Sequence, residues 1–467
     1  LGNRAHKVAV LNVVALSRSV LSERTPHLNA LIERGATTTL VPDLPAVTCT
    51  SQSSMLTGLP VREHAVVANG WYDRKHQEPR FWKQSNRLVH GTKVWETARD
   101  RDPECTCANL FWWFNMYSSA DVSVTPRPQY RADGTKVPDC YSHPARWRDE
   151  LQAALGPFPL FRFWGPLAGI ESSRWIADAA RMTDERFDPT LSLVYLPHLD
   201  YALQKHGPGS PEALDAAGEI DAVVGGLVEH YESRGASVLV VSEYGIEPVK
   251  EGGAVHPNRV LREAGLIAVR EEHGRELLDC GASRAFALAD HQVAHVYCSD
   301  DESRECARAA LESAPGVERV LGRDEQRELG LDHERAGELL VVCEPGCWCT
   351  YYFWTDDARA PDFARTVDIH RKPGYDPCEL FIDPAIALPK LRLAGKLAKK
   401  KLGFRTLMDV IPLDASLVRG THGRVEVEEP YAPILIEPED GVLSERHSAM
   451  PMRGVHDVIL EHMFPEG

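Results

Sequence analysis

Residues 7–15 read KVAVLNVVA, a run in which only Asn12 interrupts the apolar side chains after Lys7. A short run of that kind has no polar face to turn to water, so it reads as a parallel strand covered on both sides. Downstream, Thr25-Pro26-His27 opens a helix that runs through LNALIERG and stops at Gly35, and Ala36 to Val41 forms a second strand. The same order returns along the chain. Lys93 to Arg99 is helical and Thr106 to Phe114 strand-like; LSLVYL at 191–196 is a strand, Pro211 to Arg234 a helix, and SVLVVS at 237–242 a strand again. Alternation of this type predicts a doubly wound, three-layer α/β/α fold on a mostly parallel sheet, with ligands at the carboxyl ends of the strands.

Between the second strand and the next helix lies LPAVTCTSQSSMLTGLPVREHAVVANGWYD, Leu44 to Asp73. A hydroxyl-rich turn, Thr48, Cys49, Thr50 and Ser51, follows a proline-bounded strand end and opens a helix-like run from Gln52 to Thr57, closed by Gly58 and Pro60. Free N–H groups and the positive dipole end at a helix start favour an anion. A hydroxyl placed there is positioned to attack a phosphoryl group whose oxygens those amides hold. The plainer reading is a helix cap.

Further polar clusters follow strands: Pro197-His198-Leu199-Asp200 with Gln204, His206 and Gly207-Pro208; Ser242-Glu243-Tyr244-Gly245; and Arg419-Gly420-Thr421-His422-Gly423-Arg424. Carboxylates directly after buried strands sit at the mouth of an α/β crevice, where a ligand or metal explains them better than packing does.

In the order of these pieces the chain resembles the nucleotide pyrophosphatase/phosphodiesterase branch of the alkaline phosphatase superfamily, to which phosphonoacetate hydrolase is related. That branch has a Thr nucleophile before a helix ending in Thr-Gly, then a segment beginning His-Gly and ending Tyr-Asp. Here Thr48 is followed by Leu56-Thr57-Gly58 and by His64 to Asp73, and Asn69 lies 21 positions after Thr48. The resemblance covers roughly residues 7–250 and 405–430. It implies an alkaline phosphatase-like core, Thr48 rather than Cys49, Thr50 or Ser51 as nucleophile, and Asn69 on the transferred phosphoryl oxygen. It also implies two divalent ions, usually zinc.

Of the ligand positions so implied, Asp200 and His422 are retained and Glu243 is a conservative change. Val14 stands where the first-strand Asp belongs, with Asn12 two residues earlier on the same strand face; Gln204 and Tyr244 stand where histidines belong. Oxygen donors of this sort shift preference toward Mg, Mn or Fe. Further candidates are His198 and His206 beside Asp200; Asp290 with His291 in DHQVAH, whose two histidines are four apart as on one helix face; and His370 and Asp376 in VDIHRKPGYDP.

The expected activity is metal-dependent phosphoryl-transfer hydrolysis of a small phosphodiester, nucleotide-type or phosphonate substrate. The alternative is a catalytically altered relative that binds a phosphorylated metabolite or a partner. The formal charge of −16 argues against a nucleic-acid backbone as partner. No apolar run approaches the ~20 residues of a membrane span. Eleven scattered cysteines and no visible leader point to a reducing cytoplasm; Cys347 and Cys349, flanking Trp348, read as buried thiols.

Three segments are expected: core residues 1–250, an inserted or lid-forming 251–405, and 406–467 returning to the core. Val122 to Pro144 reads as a long loop over the site, and Arg424 to Ile436 as a strand. Pro389 to Arg405 holds seven basic residues and no acidic one. Such a helix rests on membranes or anionic partners in some proteins; a solvated helix face near a sheet edge is the plainer expectation.

Overall fold

The computed structural model describes residues 4–438 and 449–465. The apolar 7–15 run becomes the strand Val8–Val13, every residue of it buried, at the centre of a nine-stranded sheet. Its neighbours are Leu191–Leu196 on one side and Ser237–Val241 on the other, both parallel to it. Cys107–Leu110 and Val122–Pro126 extend the parallel part beyond Leu191–Leu196. Antiparallel strands adjoin this block, Cys140–His143 at one margin and Ile434–Glu437 at the other; Ala36–Val41 and Ala449–Pro451 complete the second side.

Helices cover the sheet on both faces through one continuous core, in which Val10, Leu11, Leu193, Leu239 and Ile459 are buried. Burying each such side chain contributes about 1.5–3 kcal/mol relative to leaving it in water. Wholly buried parallel strands need this two-sided cover, which accounts for the lack of alternation in their sequences.

Between Ser237–Val241 and Ile434–Glu437 the chain builds a separate four-stranded antiparallel sheet. Its order is Ala285–Asp290, Val293–Cys298, Leu339–Cys343, Val317–Leu321. A shared cluster containing Leu44, Val66, Trp113, Val293 and Val342 seats one face of this sheet on the 44–73 segment. The second sheet thereby reaches the end of the first where the parallel strands stop.

Four sequence expectations need correction. Residues 122–144 are not a long loop: Val122–Pro126 and Cys140–His143 are strands of the main sheet, and Gln129–Tyr130 pairs with Lys136–Val137 between them. Pro126 is tolerated because it lies at a strand end near the sheet margin. The helix after the second strand spans Thr48–Thr57, so Thr48 is its first residue and not part of a preceding turn. Strand pairing near 106–114 is confined to Cys107–Leu110, and near 424–436 to Ile434–Glu437. Finally, DHQVAH is a hairpin, with Asp290 ending one strand and Val293 starting the next, so His291 and His295 do not share a helix face.

Candidate active site

Thr48 sits at the start of a helix whose ten residues are all buried. A buried helix of hydroxyl side chains needs internal partners, and it has them. Ser53 and Thr57 return their hydroxyls to the carbonyls of Cys49 and Ser53, while Ser54 donates to Asp43 and Thr50 to the Val66 carbonyl. Gly58 ends the helix at φ +69, a left-handed conformation suited to glycine. Thr48 Oγ1 is left to face the polar cluster, 3.2 Å from the Tyr244 hydroxyl.

From Thr48 a chain of short contacts runs across the strand ends. The Tyr244 hydroxyl donates to Asp200 Oδ1 at 3.3 Å, Gln204 Nε2 donates to Asp200 Oδ2 at 2.7 Å, and Tyr375 donates to Gln204 Oε1 at 2.7 Å. Asp200 and Gln204 lie one turn apart on the helix His198–His206, which starts directly beyond the Leu191–Leu196 strand. On the other side of Thr48, Glu243 Oε1 accepts from Asn12 Nδ2 at 2.6 Å and from Gln52, whose Oε1 in turn accepts the Trp113 amide at 2.6 Å. Gln52 was not among the residues singled out from the sequence; its signal is the four-residue step from Thr48, which puts both on one helix face.

Both carboxyls titrate high. Burial raises Asp200 to about 7, against the opposing hydrogen bonds of Gln204 and Tyr244. Burial likewise raises Glu243 to about 8, with Gln52 and Asn12 opposing. At neutral pH Glu243 is therefore mostly protonated while Asp200 is divided between its two forms.

Four rings stack beside these groups. Tyr244 lies on His422 with centroids 3.5 Å apart and planes at 6°, His422 on His291 at 3.6 Å, and His291 on Tyr375 at 3.7 Å. His422 Nδ1 bonds to the Ala46 carbonyl at 2.8 Å, and burial lowers the ring to about 3, so it is neutral. That bond assigns the proton to Nδ1 and leaves Nε2 an acceptor without a hydrogen-bond partner.

Asn69 is bonded to two elements at once. Its Oδ1 accepts the Cys49 amide at 2.9 Å and its Nδ2 donates to Asp290 Oδ1 at 3.0 Å. Asp290, raised to about 7 by burial, also accepts the Asn69 backbone amide. The pair thus ties the second sheet to the start of the Thr48 helix.

Four candidates stand apart from this cluster. His198 bonds outward to Glu219 at 2.9 Å, and His206 is exposed near the end of its helix. His370 lies on the wall of the adjoining cavity with Nδ1 3.3 Å from the Phe81 carbonyl. Asp376 is held in a buried cluster with Lys372 and Glu379, each 2.7 Å from the Lys372 ammonium. Cys347 and Cys349 are buried free thiols.

The residues present do not fit the two-ion cradle. Among the described residues no three His, Cys, Asp or Glu side chains converge as a metal group. Both Asp200 oxygens are taken up by hydrogen-bond donors, Gln204 and Tyr244, at positions where a two-ion site needs imidazoles. Val14 supplies no donor at all, and Asn12 offers at most its Oδ1, its amide nitrogen being bonded to Glu243.

Thr48, Asp200, Gln204, Tyr244 and His291 form one end of a cavity of about 1050 Å³. Its walls come from the 127–138 hairpin, residues 160–167, residues 366–375 and the helix Pro389–Lys401.

Residues 8–376 match the family described as type I phosphodiesterase / nucleotide pyrophosphatase. A relative from Schizosaccharomyces pombe, an uncharacterized pyrophosphatase/phosphodiesterase, is 22% identical over 244 residues, covering 49% of this chain and 42% of that protein. The chain therefore matches less than half the length of that curated relative. Phosphonoacetate hydrolase from Sinorhizobium meliloti 1021, solved with phosphonoformate and with phosphonoacetate, has a similar structure. Its TM-score is 0.62 at 16% identity, over 98% of this chain and 96% of that one. Murine ectonucleotide pyrophosphatase / phosphodiesterase 5, solved as an inactive threonine-to-alanine variant with AMP, gives 0.57 at 13% identity, over 99% and 96%. At these identities the structural likeness speaks for the fold.

Proposed function

The chain belongs to the type I phosphodiesterase / nucleotide pyrophosphatase family, and from that premise we propose that it hydrolyses phosphoesters or phosphonates by phosphoryl transfer through Thr48. The observation that carries this reading is the continuous path Thr48 Oγ1, Tyr244 hydroxyl, Asp200 Oδ1, with steps of 3.2 and 3.3 Å, at one end of an open cavity. The inactive threonine-to-alanine variant of the murine relative supports it as well.

In this mechanism the substrate phosphoryl group sits against the start of the Thr48–Thr57 helix, where the dipole favours its charge. Thr48 Oγ1 bonds to phosphorus as the bond from phosphorus to the leaving group, P–O in an ester or P–C in a phosphonate, breaks; the leaving group keeps the electron pair and departs as an anion or is protonated by solvent. The Thr48 proton passes to the Tyr244 oxygen while the Tyr244 proton passes to Asp200, so no alkoxide has to form free. Glu243, mostly protonated at neutral pH, adds little negative charge beside the incoming anion. Water then attacks phosphorus and the Thr48–phosphorus bond breaks: the water's oxygen joins phosphorus, its released proton goes to solvent or to the departed leaving group, and the proton held by Asp200 returns through Tyr244 to the threonine oxygen.

Family membership implies a divalent metal; bound here, it would polarise the phosphoryl oxygens. The donors this chain could bring to an ion are Asp200, Glu243 and His422, with oxygens of Gln204, Tyr244 and Asn12. All of them are engaged with other residues as folded except His422 Nε2, Glu243 Oε2 and Asn12 Oδ1. No step of the mechanism passes through a metal.

The test is turnover of bis-p-nitrophenyl phosphate, a nucleotide and a phosphonate by purified protein, with and without chelator and added metals. Turnover that Thr48→Ala abolishes is the expected result. Turnover unchanged in that variant overturns the nucleophile. No turnover on any of these substrates, together with tight binding of a phosphorylated metabolite, favours a binding role.

A further inference from the structure

Behind the hairpin that presents His291 lie two thiols in contact. Cys343 ends the strand Leu339–Cys343, and Cys349 ends the short strand Trp348–Cys349. Between them Glu344, Pro345, Gly346 and Cys347 form a tight turn: the Cys347 amide donates to the Glu344 carbonyl at 3.0 Å, and Gly346 takes φ +71. Proline then glycine at the two central positions is the signature of a type II turn, whose third residue needs that left-handed backbone. The turn folds the chain back and brings the Cys343 and Cys349 sulfurs to 3.0 Å, both fully buried. A disulfide needs about 2 Å, so about 1 Å of movement separates contact from bond.

The backbone of the same two residues holds the turn that faces the site. The Cys349 amide donates to the His291 carbonyl at 2.7 Å and the Cys343 amide to the Gln292 carbonyl at 2.9 Å, so the two cysteines take two adjacent carbonyls. These bonds fix the mutual position of their backbones as well as of their sulfurs. His291 holds φ +58, a left-handed conformation that a non-glycine residue keeps only where its surroundings over-determine it. The Gln292 amide is bonded in turn to the His422 carbonyl at 2.9 Å. A change in the spacing of Cys343 and Cys349 is therefore transmitted to the turn that sets His291 against Tyr375 and His422.

We propose that Cys343 and Cys349 are a disulfide-forming pair, oxidised by a small-molecule disulfide of the glutathione type, and that the bond clamps the His291–Gln292 turn from behind. One cysteine sulfur, as thiolate, attacks the small disulfide and displaces one of its halves; the second cysteine sulfur then attacks the mixed disulfide and displaces the other half. The S–S bond of the reagent breaks and the protein S–S bond forms. The reagent takes up the two electrons, and the two thiol protons leave with its two released thiols. Burial pushes the Cys343 thiol well above its usual range, so the exchange is slow and proceeds as the Pro345–Gly346 turn opens. Cys347, the third thiol of the turn, lies beside the Lys250 ammonium and stays free. Because the bond closes a loop of only a few residues, it adds little to the stability of the whole fold and acts locally. It is independent of any reaction at Thr48.

The test uses the full chain and needs no turnover. Protein purified with reductant is incubated overnight with oxidised glutathione, unfolded, labelled with N-ethylmaleimide and mapped by mass spectrometry without reduction. Cys343, Cys347 and Cys349 lie on one tryptic fragment, 336–359. That fragment should carry a label on each cysteine before oxidation and on Cys347 alone after it. Cys347→Ser should leave the pairing intact, and Cys349→Ser should abolish it. Hydrogen exchange of the 289–294 backbone should slow at least ~3-fold on oxidation and recover with dithiothreitol. Labels retained on Cys343 and Cys349 after oxidation overturn the proposal, as does a bond made through Cys347 or glutathione left on a single cysteine. Unchanged exchange at the turn overturns the clamp. Should Cys349→Ser fail to fold, fragmentation of the unaltered peptide assigns the bond by itself.

Discussion

The start of the Thr48 helix and the strand ends opposite it have diverged to different degrees from the pattern the chain resembles. The helix start keeps a threonine where the resemblance places a nucleophile, a Thr-Gly close and Asn69 at the matching distance, and it folds as a buried, internally bonded unit. Across from it, where the resemblance implies metal-binding imidazoles, stands a hydrogen-bonded net in which Gln204 and Tyr244 donate to Asp200, and Asn12 and Gln52 to Glu243. The difference teaches that an attacking group and the apparatus that activates it are separable parts of a site. Carboxyl groups of raised pKa, buried and held by neutral donors, are one way to keep a proton acceptor beside a hydroxyl.

The most damaging change expected is at the kept side. Thr48→Ala should lower kcat/KM on an activated diester by ~10³-fold or more, because the covalent step loses its nucleophile; steady-state kinetics of the purified variant measures it. On the rebuilt side, Tyr244→Phe keeps the ring stacked on His422 but removes the hydroxyl between Thr48 and Asp200. It should reduce kcat by ~10²-fold, in line with a single acid–base contact, with KM nearly unchanged. A smaller effect of pH follows from Asp200, which must be ionised to accept the proton and whose carboxyl is raised to about 7. Between pH 6 and 8 the rate should climb by up to about tenfold and level off, and Asp200→Asn should flatten the profile.

The same burial makes a statement about stability. Asp200 and Glu243 hold protons in the folded state at pH values where the unfolded chain has released them. Stability therefore falls as pH rises from the unfolded carboxyl range toward 7 and 8, by at most about 1.4 kcal/mol per pH unit for each group. Thermal unfolding at pH 5 and pH 8 reads it, and Glu243→Gln should narrow the gap.

The mildest perturbation sharpens the contrast from the other direction. Gln204→His with Tyr244→His returns two imidazoles beside Asp200 and His422, and should raise bound zinc from a trace to about one ion per chain, measured by elemental analysis after dialysis. Full metal occupancy in the unaltered protein, with chelator-sensitive turnover, would break the contrast altogether.

Much was legible in the chain itself. Largely apolar runs such as 191–196 are stable inside a covered sheet, so the α/β architecture followed from local composition. The local structure of the Thr48 segment was readable because its parts are contiguous: hydroxyls, a helix and a glycine stop lie within a dozen residues. Residues 122–144 misled because short marginal strands interrupted by prolines and a polar hairpin resemble a loop in composition. His291 and His295 misled because a spacing of four serves a helix face or two unrelated points on a hairpin, and only strand pairing chooses between them.

By itself, then, the sequence determined the layered fold, a helix closed by Gly58 in the Thr48 segment, and the absence of the implied carboxylate and imidazoles at Val14, Gln204 and Tyr244, since each depends on side-chain identity and near neighbours. The tertiary structure alone decided what those replacements do. Whether Tyr244 bridges Thr48 to Asp200, whether Asn69 turns to Asp290, and whether the 389–401 helix walls the cavity through Leu393 and Leu397 all depend on groups distant in the chain. Hydrogen bonds and apolar contact act over a few ångströms in space, and sequence separation carries no record of that distance.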